Sequence, residues 1–252
     1  MNNSKYRRII MISKLFLQRS IFCSLGFVMI ISVNSCTRKE INTLDLSGEW
    51  AFKIDSLDKG IDQEWFLDEF NETVSLPGSM NTNGKGNEIS LQTRWTGSIF
   101  DSSYFFQPEY AKYREPGNIK VPFWLQPLKH YVGAAWYKKE VEIPDDWEEQ
   151  HIELFLERCH WETQVWVDDQ KIGSQNLLGS PHVYDLSKVL TPGKHTISIR
   201  VDNRIKEVNV GQNSHSISDH TQTNWNGIIG ELSLRKKAKI HLKQIKIHPD
   251  VE

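Results

Sequence analysis

The sequence predicts an all-β sandwich. Three observations carry that expectation. Short alternations of apolar and polar residues recur along most of the chain, and turn residues separate them at short, even intervals. No apolar pattern of helical period is long enough to build βαβ units. The length of 252 residues and a hydrophobic content of 38%, to which 15 Gly are added, suit one core-forming domain with appendages. The formal net charge of −2 leaves no strong field to attract nucleic acid or anionic lipid.

The strands follow in order. In GEWAFKID, Trp50, Phe52 and Ile54 alternate with polar neighbours, as in a half-buried strand. Residues 63–70 suit a helical turn. Residues 73–76 form a short strand closed by Pro77-Gly78. AAWYKKEVEIP places Ala135, Tyr137, Lys139, Val141 and Ile143 on one face and Trp136 on the other. HIELFLERCHW places Ile152, Leu154 and Leu156 together, and TQVWVDDQKIG is a hairpin with Asp168-Asp169 at its turn. PHVYDLSKVL reads as a strand end and a helical turn. In HTISIRVDN, His195, Ile197, Ile199 and Val201 alternate with Thr196, Ser198, Arg200 and Asp202. GELSLRK and KIHLKQIKIHP complete the strand text. Trp161 and Trp166 are expected to pack on the sheet, and Arg158 and Glu162 to pair across a strand. Lys236, Lys237 and Lys239 protect a strand edge from aggregation.

Residues 80–126 have no clear period. Trp95, Phe100, Tyr104, Phe105, Phe106, Tyr110, Tyr113, Phe123 and Trp124 are spread among polar residues there. Irregular segments of this length tend to be functional or mobile. An insertion whose aromatic rings pack on one another and on the sheet accounts for most of them.

The first 36 residues are different in kind. Lys5, Arg7, Arg8, Lys14 and Arg19 precede any acid, and an apolar run spans residues 21–33. That run is short for a membrane span and fits the core of a secretory signal. It ends in Val33-Asn34-Ser35-Cys36, which resembles a bacterial lipoprotein box with Cys36 as the lipidated residue. The expectation is a lipoprotein signal peptide over 1–35 and a tether over 36–43, giving an exported, membrane-anchored protein in the periplasm, outer membrane or cell surface. Cys159 lies alone within the remaining chain, so no internal disulfide is possible there. A small buried apolar role suits it better than a nucleophilic one.

Several stretches taken together resemble the N-terminal sugar-binding domain of glycoside hydrolase family 2, which includes β-galactosidases, β-glucuronidases and β-mannosidases. They are LSGEWAF, SLPGSM, AAWYKKEVEIP, LERCHWETQVWVDDQKIG, SPHVYDLSKVLTPGKHTISIRVDN and TNWNGIIGELSL, in one collinear order. The resemblance implies a jelly-roll-like, galactose-binding-domain-like β-sandwich over 44–236. It implies the start of a following immunoglobulin-like domain over 237–252. In the family, a TIM barrel then does the chemistry. A barrel alone needs roughly 250 residues, and the chain has no room for one.

Retaining glycoside hydrolysis needs two carboxyl groups about 5 Å apart. The acid doublets here, Asp145-Asp146, Glu148-Glu149 and Asp168-Asp169, look like solvated turns. No catalytic residue is therefore assigned, and O-glycosyl hydrolysis is expected only together with the barrel. There is no G-x-S-x-G elbow and no phosphate-cradling glycine loop, and no cofactor is expected. His215 and His220 share a loop with Asp219, but their spacing matches no common closed metal site, so no metal ligand is assigned.

The stretch DHTQTNWNGIIGEL carries the candidate binding chemistry. Sugars present hydroxyls and weakly positive C–H faces, which call for planar amides and an aromatic plane. Asp219, His220, Gln222, Asn224, Trp225 and Asn226 offer these groups. The resemblance implies that this loop reaches toward the barrel mouth and helps hold the terminal sugar. Some β-galactosidases carry an acid two positions before the Trp, where this chain has Thr223. Trp225 also suits a plug at the end of the sandwich, a role that does not require Asp219, His220 or Gln222. Two readings follow: the non-catalytic domain of a β-galactosidase-like exo-β-glycosidase acting on β-linked oligosaccharides or glycosides, or a free-standing carbohydrate-binding lipoprotein.

Overall fold

A computed structural model describes residues 42–97, 101–122, 124–206, 214–215 and 218–249. The proposed signal segment, Cys36, Phe100 and Phe123 lie outside the described residues.

Two antiparallel sheets face one another. The larger contains β2 (Gly48–Asp55), β3 (Glu72–Leu76), β7 (Ala134–Ile143), β9 (Glu162–Val167), β10 (Gln170–Asn176) and β12 (Gly193–Asp202), in the order β10-β9-β12-β7-β2-β3. The smaller runs β1-β13-β8-β11, from β1 (Thr43–Asp45), β13 (Gly227–Lys237), β8 (His151–Cys159) and β11 (His182–Asp185). Within it β4 (Gly78–Ser79) also pairs with β13. A separate ribbon joins β5 (Asn87–Glu88) to β6 (Lys129–His130). The expected all-β sandwich is present.

The core forms where alternation turns apolar residues inward. Trp50, Phe52, Ala135, Tyr137, Val141, Ile143, Val165, Val167, Ile197, Ile199 and Val201 project from the larger sheet. Ile152, Leu154, Leu156, Tyr184, Ile228, Leu232 and Leu234 meet them from the smaller one. Burial of this kind contributes roughly 1.5–3 kcal/mol per large apolar side chain. Cys159 belongs to this core, and burial pushes its thiol pKa well up, so it is an inert apolar residue here.

The outer face of the larger sheet is covered as well, which alternation alone does not reveal. Trp136 and Trp166 lie 4.9 Å apart between ring centroids, and Phe66 stacks on Trp166 at 5.5 Å. Trp136 Nε1 donates to Asp55 Oδ2 at 3.0 Å. Residues 63–70 form irregular turns rather than a regular helix. Arg200, Asp202 and Ser198 are buried on this face. Asp202 is ringed by Arg200 at 3.1 Å, Arg204 at 2.5 Å and Lys206 at 2.7 Å, and Arg200 also bonds Asp58.

Arg158 and Glu162 do not pair. They sit on strands of different sheets: Arg158 lies 3.6 Å from Glu157, while Glu162 binds Lys206 at 3.2 Å. Beyond Lys237 the chain bends at Lys239 and Ile240 and makes no strand pairing among the described residues, although KIHLKQIKIHP reads as a strand. Among the described residues no helix is long and apolar enough to cross a membrane.

Candidate functional site

The loop after β12 is built from the inside out. Ser218 carbonyl accepts the backbone N–H groups of Thr221, Gln222 and Thr223 at 3.1–3.2 Å, which winds the loop into one tight turn. Asp219 lies beneath it, fully buried. Its Oδ2 accepts the Thr96 N–H at 2.6 Å, and its Oδ1 accepts the Asn224 N–H at 3.4 Å. His130 Nε2 is 3.7 Å from the same carboxylate. Asp219 therefore fastens the loop to the irregular 80–126 segment and to β6.

Asn224 and Asn226 are also internal. Asn224 Nδ2 donates to the Asn203 carbonyl at 3.0 Å and to Thr96 Oγ1 at 3.3 Å. Asn226 Nδ2 donates to the carbonyls of Gly133 and Val201, both at 2.9 Å, while its Oδ1 accepts the Tyr137 hydroxyl at 2.8 Å. Both amide hydrogens of Asn226 are thus occupied within the sandwich. Gly227 follows at φ 144°, where an added Cβ would stand 2.4 Å from the Gly78 carbonyl oxygen. That close passage of β4 across β13 admits only glycine.

The outward-facing part of the loop is smaller than its polar sequence suggests. Gln222 is exposed, and His220 and Trp225 are half-buried. Trp225 packs against His160 with centroids 4.9 Å apart, and its backbone N–H donates to His160 Nδ1 at 3.4 Å. Burial pushes the His160 pKa down to about 4, so the ring is neutral near pH 7. The His220 ring lies 5.5 Å from Trp124 and close against Gly97, where a Cβ would come within 2.8 Å of His220 Nδ1.

Trp124 and His220 continue into an aromatic cluster. Trp95 meets Trp124 edge-on at 5.6 Å and His130 at 5.1 Å. Two open grooves border it. One, of about 740 Å³, is lined by Tyr110, Tyr113, Asn118, Trp124 and Gln126 among others; the second, of about 550 Å³, by Gln92, Arg94, Trp95 and His130 among others. Glu88 lines both and is the one carboxylate that does so among the described residues. It is ion-paired with Lys129.

A third trough of about 620 Å³ is richer in acids, including Asp68, Glu140 and Asp168. These have structural partners. Asp168 Oδ1 accepts the Thr196 N–H at 2.8 Å, Glu140 binds Lys194 at 2.7 Å, and Asp68 lies 3.6 Å from Lys53. The doublets Asp145-Asp146, Glu148-Glu149 and Asp168-Asp169 are all exposed, as their sequence setting suggests.

Residues 43–238 match the family described as glycosyl hydrolases family 2, sugar binding domain. The chain belongs to that family. It is similar to a β-galactosidase of Pseudoalteromonas haloplanktis, 21% identical over 227 residues, covering 90% of this chain and 19% of that protein. It is similar to a β-glucuronidase of Paenibacillus borealis, 21% identical over 161 residues, covering 63% of this chain and 21% of that protein. This family 2 chain therefore spans about a fifth of the length of the curated relatives it matches. Among solved structures, a β-glucuronidase from an uncultured Clostridium sp. aligns with a TM-score of 0.53 at 17% identity, over 78% of this chain and 29% of that one. A Ruminococcus gnavus β-glucuronidase aligns at 0.50 and 17% identity, over 77% and 28%. These likenesses establish a shared sandwich fold.

The aromatic cluster is the part of the site that sequence reading missed. Trp95 and Trp124 belong to the aperiodic segment, and no local pattern links them to a loop more than ninety positions later. Their density among polar residues was the available signal.

Proposed function

We propose that this domain is the non-catalytic, sugar-binding shoulder of a family 2 exo-β-glycosidase, β-galactosidase-like, acting on β-linked oligosaccharides or glycosides. The observation that carries the reading is the meeting of Trp124 and His220, 5.5 Å apart, beside two grooves that among the described residues share a single carboxylate, Glu88. Aromatic planes and amides suit sugar C–H faces and hydroxyls. One ion-paired carboxylate does not suit double-displacement or inverting hydrolysis, which needs two. Of the loop residues, Gln222, His220 and Trp225 stand at the accessible rim. Asp219, Asn224 and Asn226 support it from below.

A following immunoglobulin-like domain and a TIM barrel would complete the enzyme. Ile240, Leu242, Ile245 and Ile247 are 94%, 83%, 70% and 83% exposed, which suits a segment made to join another sheet. Residues 1–35 would act as a lipoprotein signal and Cys36 as the lipidated, membrane-anchoring residue, with 36–43 as a tether. Export of a Cys36→Ser variant without membrane retention checks that assignment.

Calorimetric titration of the purified full chain with methyl β-galactoside, methyl β-glucuronide and β-linked oligosaccharides tests the binding role. Trp124→Ala is expected to weaken any measured affinity about three- to tenfold, the usual worth of an aromatic contact. Flat isotherms with every sugar remove direct sugar binding by the chain alone. Release of nitrophenol from a nitrophenyl β-glycoside by the same preparation overturns the non-catalytic reading.

A further inference from the structure

Away from the grooves, His151, Glu153 and His241 bring one side-chain donor atom each into a cluster whose members lie within 4.8 Å of one another. His151 and Glu153 share a face of β8, being two residues apart on a strand. His241 comes from the segment beyond β13 and lays its ring 4.4 Å from that of His151.

Hydrogen bonds behind these rings hold one nitrogen of each. The Ser187 hydroxyl has one hydrogen and donates it to Asp185 Oδ1 at 2.5 Å. His151 Nδ1, 3.0 Å from Ser187 Oγ, must therefore be the donor in that contact. His241 Nδ1 donates to the Ala238 carbonyl at 2.8 Å. His241 thus has its Nδ1–H held by oxygen, with Nε2 as the remaining ring nitrogen, while His151 meets Ser187 through Nδ1 and Glu153 through Nε2. This is the outer arrangement that orients metal-binding histidines and raises their basicity. Glu153 Oε1 stands 2.9 Å from His151 Nε2. Its second oxygen is bonded to Lys237, which holds the carboxylate in place and limits it to one ligand atom.

We propose that His151, Glu153 and His241 form a zinc site that pins the chain leaving β13 onto the start of β8. Two imidazole nitrogens and one carboxylate oxygen suit zinc, whereas magnesium and calcium prefer all-oxygen shells. Ligands on a tetrahedral zinc at its usual bond lengths are about 3.3 Å apart. The present spread of up to 4.8 Å would close to that value by a shift of the His241 segment, which is not part of either sheet. Any proton shared by His151 Nε2 and Glu153 Oε1 leaves to solvent as zinc takes its place. A solvent molecule fills the fourth position.

The test uses the full chain, stripped with a chelator and then titrated with zinc chloride by calorimetry and followed by thermal unfolding. One zinc per chain is expected, with a Tm rise of about 5 °C or more at a hundredfold excess over Kd. His241→Ala is the decisive variant, since it lies outside both sheets. It should weaken zinc binding at least about tenfold and cut the Tm rise at the same zinc concentration by about half or more, while the metal-free Tm stays unchanged. Ser187→Ala should cost about tenfold in affinity through loss of ring orientation. Zinc binding by His241→Ala equal to that of the unaltered chain overturns the site, because the other histidines of the chain would then account for it. An equal Tm rise with magnesium, or no stoichiometric uptake of zinc, overturns it as well.

Discussion

Tyr137 and Asn226 lock the two sheets together at the loop end of the sandwich. Tyr137 rises from the centre of β7, and its hydroxyl donates to Asn226 Oδ1 at 2.8 Å, one residue before β13 begins. The amide passes the connection on to the carbonyls of Gly133 and Val201. Asn226→Ala leaves a buried hydroxyl and two buried carbonyls without this partner and is expected to destabilise the fold by about 2–4 kcal/mol. Tyr137→Phe removes only one of these bonds and should cost about 1 kcal/mol. Urea unfolding of both variants and of the double variant measures the coupling, which should be clearly non-additive.

Gly227→Ala is expected to destabilise by about 2 kcal/mol or more, because its φ of 144° is closed to L side chains and the new methyl meets β4 backbone. Gly179→Ala, with open space around its Cα, serves as the control and should be near neutral. A comparison of urea midpoints decides it.

Stability should fall with acid in two stages. The His160 pKa is depressed by burial from 6.5 to about 4, and burial also lowers that of His182. A histidine kept neutral in the fold binds fewer protons than the unfolded chain between those values, so stability is lost as pH drops from about 6.5 toward about 4. Urea midpoints at pH 7, 6 and 5 should decline, and the decline should shrink in His160→Gln. A His160 ring resonance that titrates near pH 6.5 would contradict the assignment.

The second stage involves Asp202. Burial raises its pKa, but hydrogen bonds from Arg204 and Lys206 and the Arg200 charge outweigh that and hold it below the usual carboxylate range. Its stabilising contribution is complete above the unfolded value near 4 and is lost as pH falls through the lower folded value. Asp58 shifts in the same direction, by bonds to Arg204 and Arg200 that overcome its desolvation. The acid limb below pH 4 should therefore be shallower in Asp202→Asn than in the unaltered protein, read from midpoints between pH 5 and 2.

Removing residues 242–252 should change sandwich stability by less than about 0.5 kcal/mol, because Leu242, Ile245 and Ile247 are exposed rather than packed. The shortened chain should also aggregate less, measured by light scattering. A large drop in the unfolding midpoint would show that the tail packs on the sandwich in solution.

The longer strands, such as β2, β7, β8 and β12, were legible because one face of each is apolar and its period is two. The Asp168-Asp169 hairpin was legible because a two-residue turn tolerates Asp168 at φ 53°. The second buried layer was not. Ser198, Arg200 and Asp202 look like a solvated face, and only the long-range approach of Asp58 and Phe66 encloses them. Arg158 and Glu162 are close in sequence, but the chain changes sheets between them. At the site, the polar loop was recognisable, whereas its division into inner and outer residues was not. A carboxamide answers buried backbone carbonyls as readily as sugar hydroxyls, and Asn224 and Asn226 are placed for the former. The zinc-type cluster joins positions 151 and 241, a separation no short motif can span.

The pairing of β1 with β13 has a mechanical consequence. Thr43 lies opposite Arg235, and Lys236 N–H donates to the Asn42 carbonyl at 2.8 Å, so the incoming and outgoing chain share one rim of the smaller sheet. Tension applied between these two points would unzip β1 bond by bond from its open end, sparing the interior. A load borne on both sides of this domain would thus meet a sacrificial three-residue strand before it reached the aromatic heart of the sandwich.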